Sequence, residues 1–287
     1  MMAPRLQQPV GIERQYAKAL KQYARRLGKA CNLILIPEVP RLVESANRYR
    51  PDDAATPVAG RSWVDLLAGL LESTLGVVTG VQDVGLAAVI GSNQPEVEAL
   101  PGPSSADEIG VVVYAEQISE HGLRQIRRMT KAQYGEQYAK DEPWLTDMLR
   151  AWEAQNLSLI RSIPERYVEE LQGTVIRAIN EGQSATDLAA TIKGTYDKPV
   201  KRAQLIADDQ VGKLHSQLAQ ARQQAIGVKE YAWRGILDAR ERPEHRRREG
   251  RTYQWSNPPS DGHPGSAVRC RCYGQPIWPP RDKVTLT

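Results

Sequence analysis

Between Asp107 and Gly227 apolar residues recur at helical spacing in one segment after another, and most of these segments close on a stop signal. Leu145, Met148, Leu149, Trp152, Leu159 and Ile160 trace one stripe. Ser162-Ile-Pro164-Glu165 has the form of a capping box with proline at the first helical position, and predicts a new helix there. Its inward residues are Val168, Leu171, Val175 and Ile179, and Gly182 ends it. A second box, Ser184 to Asp187, opens a short helix through Leu188 and Ile192 to Gly194. Pro199 then opens what the pattern predicts as the longest helix, with Ala203, Ile206, Val211, Leu214, Leu218 and Ala225 inward and Gly227 after it. Successive stripes of this kind must be buried against one another, so this part of the chain is helical.

Upstream, Gly11 to Gly28 predicts a basic helix with Ile12, Tyr16, Leu20, Tyr23 and Leu27 on one side and Gly28 as its stop. Asn32 to Pro37 is a short apolar run, either a strand or an extended arm. Pro51 to Gly60 is rich in turn residues. A further helix is expected over Trp63 to Leu75, capped by Ser62 with Asp65 three residues on. Gly91 to Ser105, with three prolines, is the candidate linker. Trp63 to Ile90 is apolar but interrupted by Asp65, Glu72 and Asp83, and the first residues lack the apolar centre of a signal peptide. Three cysteines do not make a disulfide framework, so a soluble product of a reducing cytoplasm is expected.

After Gly227 the texture changes. Val228 to Ile236, Arg251 to Trp255 and Val268 to Ile277 are strand candidates, Pro243 favours a helix over Arg242 to Glu249, and Pro258 to Gly265 is a loop. The expected fold is mainly α with a small α+β C-terminal unit. It divides into residues 1–105 with the basic helix, a helical interaction region at 106–227, the small unit at 228–278, and a tail at 279–287 that is ordered only if a partner holds it.

The unit from Tyr231 to Trp278 concentrates unusual chemistry: His245 and His263, Cys270 and Cys272, and Trp233, Trp255 and Trp278. Within it stands the run W-x-x-x-x-D-x-R-x-R-P-x-H, formed by Trp233, Asp238, Arg240, Arg242, Pro243 and His245. Gly250, Pro258-Pro259, His263-Pro264 and Cys270-Arg271-Cys272 follow. On these residues, and on the consecutive helices before them, the chain resembles the phage Mu F-like minor head proteins from roughly Trp144 to Trp278. Gly265 to Arg269 separate the His-Pro from the Cys-x-Cys more widely than the family usually does. The resemblance implies a minor head or head morphogenesis protein of a tailed bacteriophage, with no catalysis. It would associate with the portal inside the procapsid, in reach of major capsid or scaffold protein and of packaged double-stranded DNA. Its place would be the host cytoplasm during assembly and then the interior of the virion head.

Several chemistries are compatible with the residues themselves. His245, His263, Cys270 and Cys272 make a two-imidazole, two-thiol set suited to a structural zinc ion, although no cofactor is required and Cys-x-Cys is not the usual knuckle spacing. The alternative places the cysteines on opposite faces of a strand, with the histidines capping loops. Asp238, Arg240 and Arg242, with His245 as a further donor, form either a buried ion-pair network or a phosphate- or nucleotide-binding cluster. Asp208-Asp209 on the long helix face solvent or cap a neighbour. The net charge of +4 is far from that of a dedicated nucleic-acid binder. Basic residues are nonetheless clustered at Arg246, Arg247 and Arg248 and at Lys18, Lys21, Arg25 and Arg26, either as solvated faces or as non-specific phosphate contacts. No nucleophile elbow, phosphate-binding loop or deaminase signature is present. An enzyme acting on nucleic acid or nucleotides, a nuclease or transferase delivered with the genome, is the alternative class.

Overall fold

The computed structural model of the protein describes residues 4–48, 62–79, 100 and 102–287. The turn-rich break at Pro51 to Gly60, the last part of the apolar run to Ile90 and most of the expected linker lie outside the described residues. The fold is mainly α with a small three-stranded antiparallel sheet near the C-terminus. Helices are α1 (Val10–Ile34), α2 (Val39–Arg48), α3 (Trp63–Thr79), α4 (Val111–Tyr134), α5 (Leu145–Asn180), α6 (Ala185–Lys193), α7 (Asp197–Ile226) and α8 (Pro243–Arg247). Strands are β1 (Glu230–Arg234), β2 (Thr252–Gln254) and β3 (Tyr273–Ile277).

Contacts group the chain into two compact units assembled from separated segments. One takes the chain up to Tyr16, Gly110–Asn156 and Leu205–Thr287; the other takes Ala17–Ile109 and Leu157–Gln204. Both cut across the contiguous regions read from the sequence.

The second unit is a helical assembly with an aliphatic core. Leu20, Leu27 and Ile34 of α1, Leu42 of α2, Leu67 and Leu70 of α3, Ile160, Ile163 and Leu171 of α5, and Leu188 and Ile192 of α6 are all buried. Lys18, Arg25 and Lys29 face outward on α1, as amphipathic spacing requires. Cys31 is buried among them, and burial pushes its thiol up to about 12. Two expected boundaries are absent. Gly28 does not end α1, which continues to Ile34 and is followed by a 3-10 turn at Ile36–Glu38 where a strand or arm was expected. A Cβ at Gly28 would stand 3.0 Å from the Tyr196 ring, so the glycine permits close packing and does not stop the helix. Likewise α5 runs through Pro164 as one helix. Ser162 donates its hydroxyl to the Leu159 carbonyl instead of capping a new turn, and burial of Ile160, Ile163 and Tyr167 around the proline offsets the lost backbone bond. In consequence α5, not α7, is the longest helix among the described residues. The other signals act as expected. The Gly182 and Gln183 amides return to Ile179 and Ala178, and Ser184 accepts from the Asp187 amide at 3.1 Å.

The first unit combines α4, the start of α5, most of α7 and the C-terminal module. Arg222 of α7 is fully buried and forms a two-pronged ion pair with Glu142, at 2.6 and 2.9 Å, while donating to the carbonyl and hydroxyl of Ser119. Trp152 donates its indole N–H to the Gln210 carbonyl at 3.0 Å. The tail does not wait for a partner. Val284 and Leu286 are buried with Ile126, Tyr138 and Ile226, and the Ala139 amide donates to Leu286 at 2.7 Å. Alternate apolar residues give that segment a buried side of its own.

Candidate metal centre and motif network

β1 is central in the sheet, in the order β2-β1-β3, with Tyr231 opposite Tyr253 and Pro276, and Trp233 opposite Gly274. Its alternation turns Tyr231 and Trp233 inward, where they form a core with Val228, Trp255, Cys270 and Cys272. The motif grows out of the end of β1. Trp233 carries the Arg248 guanidinium 4.9 Å above its ring and meets the His245 imidazole edge-on at 5.1 Å. Gly250 returns the chain, its amide donating to the Trp233 carbonyl. Pro243 opens α8 with Arg242 at the N-cap in extended conformation, and this short helix presents His245 to the interior.

Asp238 organises the loop ahead of α8. Arg271 grips its carboxylate at 2.6 and 2.8 Å, and the Arg240 amide donates at 3.0 Å. The Arg271 guanidinium thereby holds the Asp238 carboxyl well below the usual carboxylate range. Arg242 donates to the Val268 carbonyl at 2.8 Å. The buried Asp–Arg network expected from the sequence is not what forms: Asp238 pairs with Arg271 and, at 3.4 Å, with an exposed Arg240, Arg242 turns to the Val268 carbonyl, and His245 Nε2 pairs with Asp261 at 3.2 Å. Asp261 is also held by Arg248 at 2.6 Å.

On its other side, His245 Nδ1 stands 3.4 Å from Cys270 Sγ and 3.4 Å from Cys272 Sγ. All three residues are buried, and their ligand atoms lie within 4.8 Å of one another. Cys270 precedes β3 on a turn, and both cysteines point inward, so they do not alternate across a strand. Hydrogen bonding from Cys272, with help from the Gly265 amide, lowers the Cys270 thiol against the opposing effect of burial, while the same hydrogen bond and burial move the Cys272 thiol upward. His263 does not join this group. Its Nδ1 lies 3.0 Å from the Tyr231 hydroxyl and its ring 4.9 Å from Trp255, with Pro264 buried beside it; burial lowers its pKa.

Two non-glycine residues adopt the left-handed backbone, Leu237 at φ 60° and Arg269 at φ 55°. They lie on the two loops that carry Glu241 and Cys270, where such strain persists only if surrounding contacts enforce it. Asp209 supplies one such contact, accepting from the Arg269 amide at 2.9 Å, while Asp208 takes the Arg269 guanidinium at 2.7 Å. Asp208-Asp209 therefore anchor the cysteine loop, a role that their helical position alone does not signal. Asp261 and Glu241 are likewise unmarked by any motif. The one local signal for Asp261 is a turn-type Ser-Asp-Gly immediately before His263.

The basic candidates divide. Arg26 is buried and donates to the carbonyls of Leu100, Gly102 and Val77, and Arg248 is committed to Trp233 and Asp261. Arg246 is exposed but donates to the carbonyls of Leu237 and Asp238. Arg247, Lys18 and Arg25 are exposed and Lys21 is half-buried. No helix among the described residues is long and apolar enough to cross a membrane.

Residues 169–274 match the family model described as Phage Mu protein F like protein. This chain carries a Phage Mu protein F-like region. The region begins within α5 and ends in β3, so it takes in α6, α7 and the whole motif network. An uncharacterized protein of Haemophilus influenzae (strain ATCC 51907 / DSM 11121 / KW20 / Rd) is 37% identical over 148 residues, 51% of this chain and 33% of that protein. The match thus spans about a third of the relative's length. No solved structure matches the chain.

Proposed function

We propose that the protein is a head morphogenesis protein of a tailed bacteriophage that acts by association with the portal inside the procapsid. The observation that carries this reading is the Phage Mu protein F-like match over residues 169–274. The disposition of the motif residues supports a structural role for them. Asp238, Arg271, Arg242, Arg248 and Trp233 are bound to one another or to nearby backbone, and so hold a shape. The helical faces then serve protein contact, to portal first and to major capsid or scaffold protein second. The protein assembles in the host cytoplasm and ends in the head interior. Arg247, Lys18 and Arg25 remain available to phosphates, giving a weak, sequence-independent and salt-sensitive DNA contact. The role is assembly, without turnover.

Co-expression with the portal protein of the same genome tests the proposal. A complex that survives size exclusion at moderate salt is the expected result. A chain that elutes alone in the presence of portal, capsid and scaffold proteins overturns it.

A further inference from the structure

The contacts around His245 differ from those of a satisfied core histidine. Two sulfur atoms approach the same ring nitrogen, Nδ1, each at 3.4 Å. In a tetrahedral site with metal–sulfur bonds of about 2.3 Å and a metal–nitrogen bond of about 2.0 Å, nitrogen and sulfur ligands stand about 3.5 Å apart. The two observed separations fit those edges, and all three side chains are more than nine-tenths buried, at 3%, 6% and 3% exposure. We propose that His245 Nδ1, Cys270 Sγ and Cys272 Sγ bind one thiophilic divalent cation of the zinc class, which fastens the cysteine loop to α8.

Three features outside the ligand set support the site. Asp261 accepts at His245 Nε2 at 3.2 Å and is itself fixed by Arg248. A proton held on Nε2 leaves the Nδ1 lone pair directed at the thiols, the carboxylate–imidazole–metal arrangement that orients a histidine ligand. Second, the Gly265 amide is 3.4 Å from Cys270 Sγ, a donor suited to a coordinated thiolate. Gly265 has φ +91°, and a Cβ there would fall 2.1 Å from the Ser216 hydroxyl, so only glycine brings this amide so close. Third, a cavity of about 20 Å³ adjoins His245, Cys270, Cys272 and Glu241. It has room for one water-sized body. The chain Cys270–His245–Asp261 also has the order of a nucleophile, a base and its orienting carboxylate, but both thiols are more than nine-tenths buried, which favours an ion over an organic substrate.

Glu241 stands beside the ligand set, its Oε1 3.3 Å from Cys272 Sγ. Binding displaces the two thiol protons to solvent and changes no oxidation state. The ligand set omits His263, which is engaged by Tyr231 and Trp255.

The test uses the full chain purified from zinc-supplemented cells, with metal measured by mass spectrometry and by cobalt substitution. The expected result is one zinc per chain, a thiolate-to-cobalt charge-transfer band, and a fall in melting temperature on chelation. Cys270→Ser and Cys272→Ser lose the metal, while His263→Gln keeps it. Asp261→Asn binds cobalt to the same capacity with an affinity lowered roughly 10- to 100-fold, a readout that does not depend on the cysteine variants folding. A wild-type chain with no metal and no cobalt band overturns the proposal, leaving hydrogen-bonded thiols or, if one cysteine is alkylated rapidly, a nucleophile. Metal retained after both cysteines are replaced, or lost equally in His263→Gln, also overturns it.

Discussion

Tyr167 in the helical unit and Tyr231 in the C-terminal module are both buried, yet they are held in different ways. Tyr167 sits on a helix stripe with Ile160, Ile163 and Leu171, and its hydroxyl meets Thr195 at 2.9 Å. Tyr231 packs at a tilt on Trp255 with ring centroids 4.1 Å apart, stacks on Tyr253 of the paired strand, and meets His263 through its hydroxyl. The helical core is spread over many aliphatic side chains of similar size, any of which can change shape a little without loss of the rest. The module has few apolar residues and relies on rings, ion pairs and thiols, each with one particular partner. A helix bundle therefore distributes its stability, whereas a unit with three short strands concentrates it in a few side chains.

The sharpest challenge to this contrast is Trp233→Ala. Loss of the ring removes the seat of Arg248 and the edge contact to His245, and is expected to cost about 3–5 kcal/mol. Urea unfolding followed by near-ultraviolet circular dichroism will measure it, and a loss below about 1 kcal/mol would mean that the module is not held by its rings. A smaller effect comes from acid. All four histidines, at 121, 215, 245 and 263, belong to the first unit, and the helical unit has none. Burial drives His215 down to about 3 from 6.5, so the folded state keeps it neutral while the unfolded chain takes up a proton first. A depressed histidine thus lowers stability as pH falls from about 6.5 toward 3, and its effect is absent above pH 7. Between pH 7 and pH 5, His215 alone should remove about 2 kcal/mol. Hydrogen exchange should show the loss in the first unit, and His215→Gln should flatten the dependence. In the helical unit, Ile163→Val is expected to cost only about 0.5–1.5 kcal/mol. Ser184→Ala should cost about 1 kcal/mol through the lost cap, read as a shift in denaturation midpoint with unchanged slope.

The same difference explains what the sequence reveals. Helical stripes are local and periodic, so Val168, Leu171, Val175 and Ile179, the Gly182 stop and the Ser184 cap are legible from residue order alone. Gly28 and Pro164 mislead because their local tendency is overridden by distant packing, against Tyr196 in one case and around Ile160, Ile163 and Tyr167 in the other. At the candidate site, the residue types that bind metal are conspicuous, and three of the four expected ligands do converge. Which histidine turns toward the cysteines is a matter of loop path. The position of His263 near the Cys-x-Cys in sequence carries no information about its ring, which Tyr231 and Trp255 draw away. Asp261, Glu241 and the Asp208-Asp209 anchor act across long separations in the chain and have no periodic signature.

The burial of Leu286 against Ile126 and Tyr138 has a consequence for synthesis on the ribosome. The helical unit has all its residues once Gln204 has emerged, but the first unit cannot complete its core until Leu286 does. At roughly 5–20 residues per second, that interval is about 4–16 s. During it, the apolar side of α4 and the Arg222–Glu142 pair have no finished surroundings. The order of translation leaves the first unit open after the helical unit can close, a window in which a chaperone or an assembly partner meets surfaces that the finished protein hides.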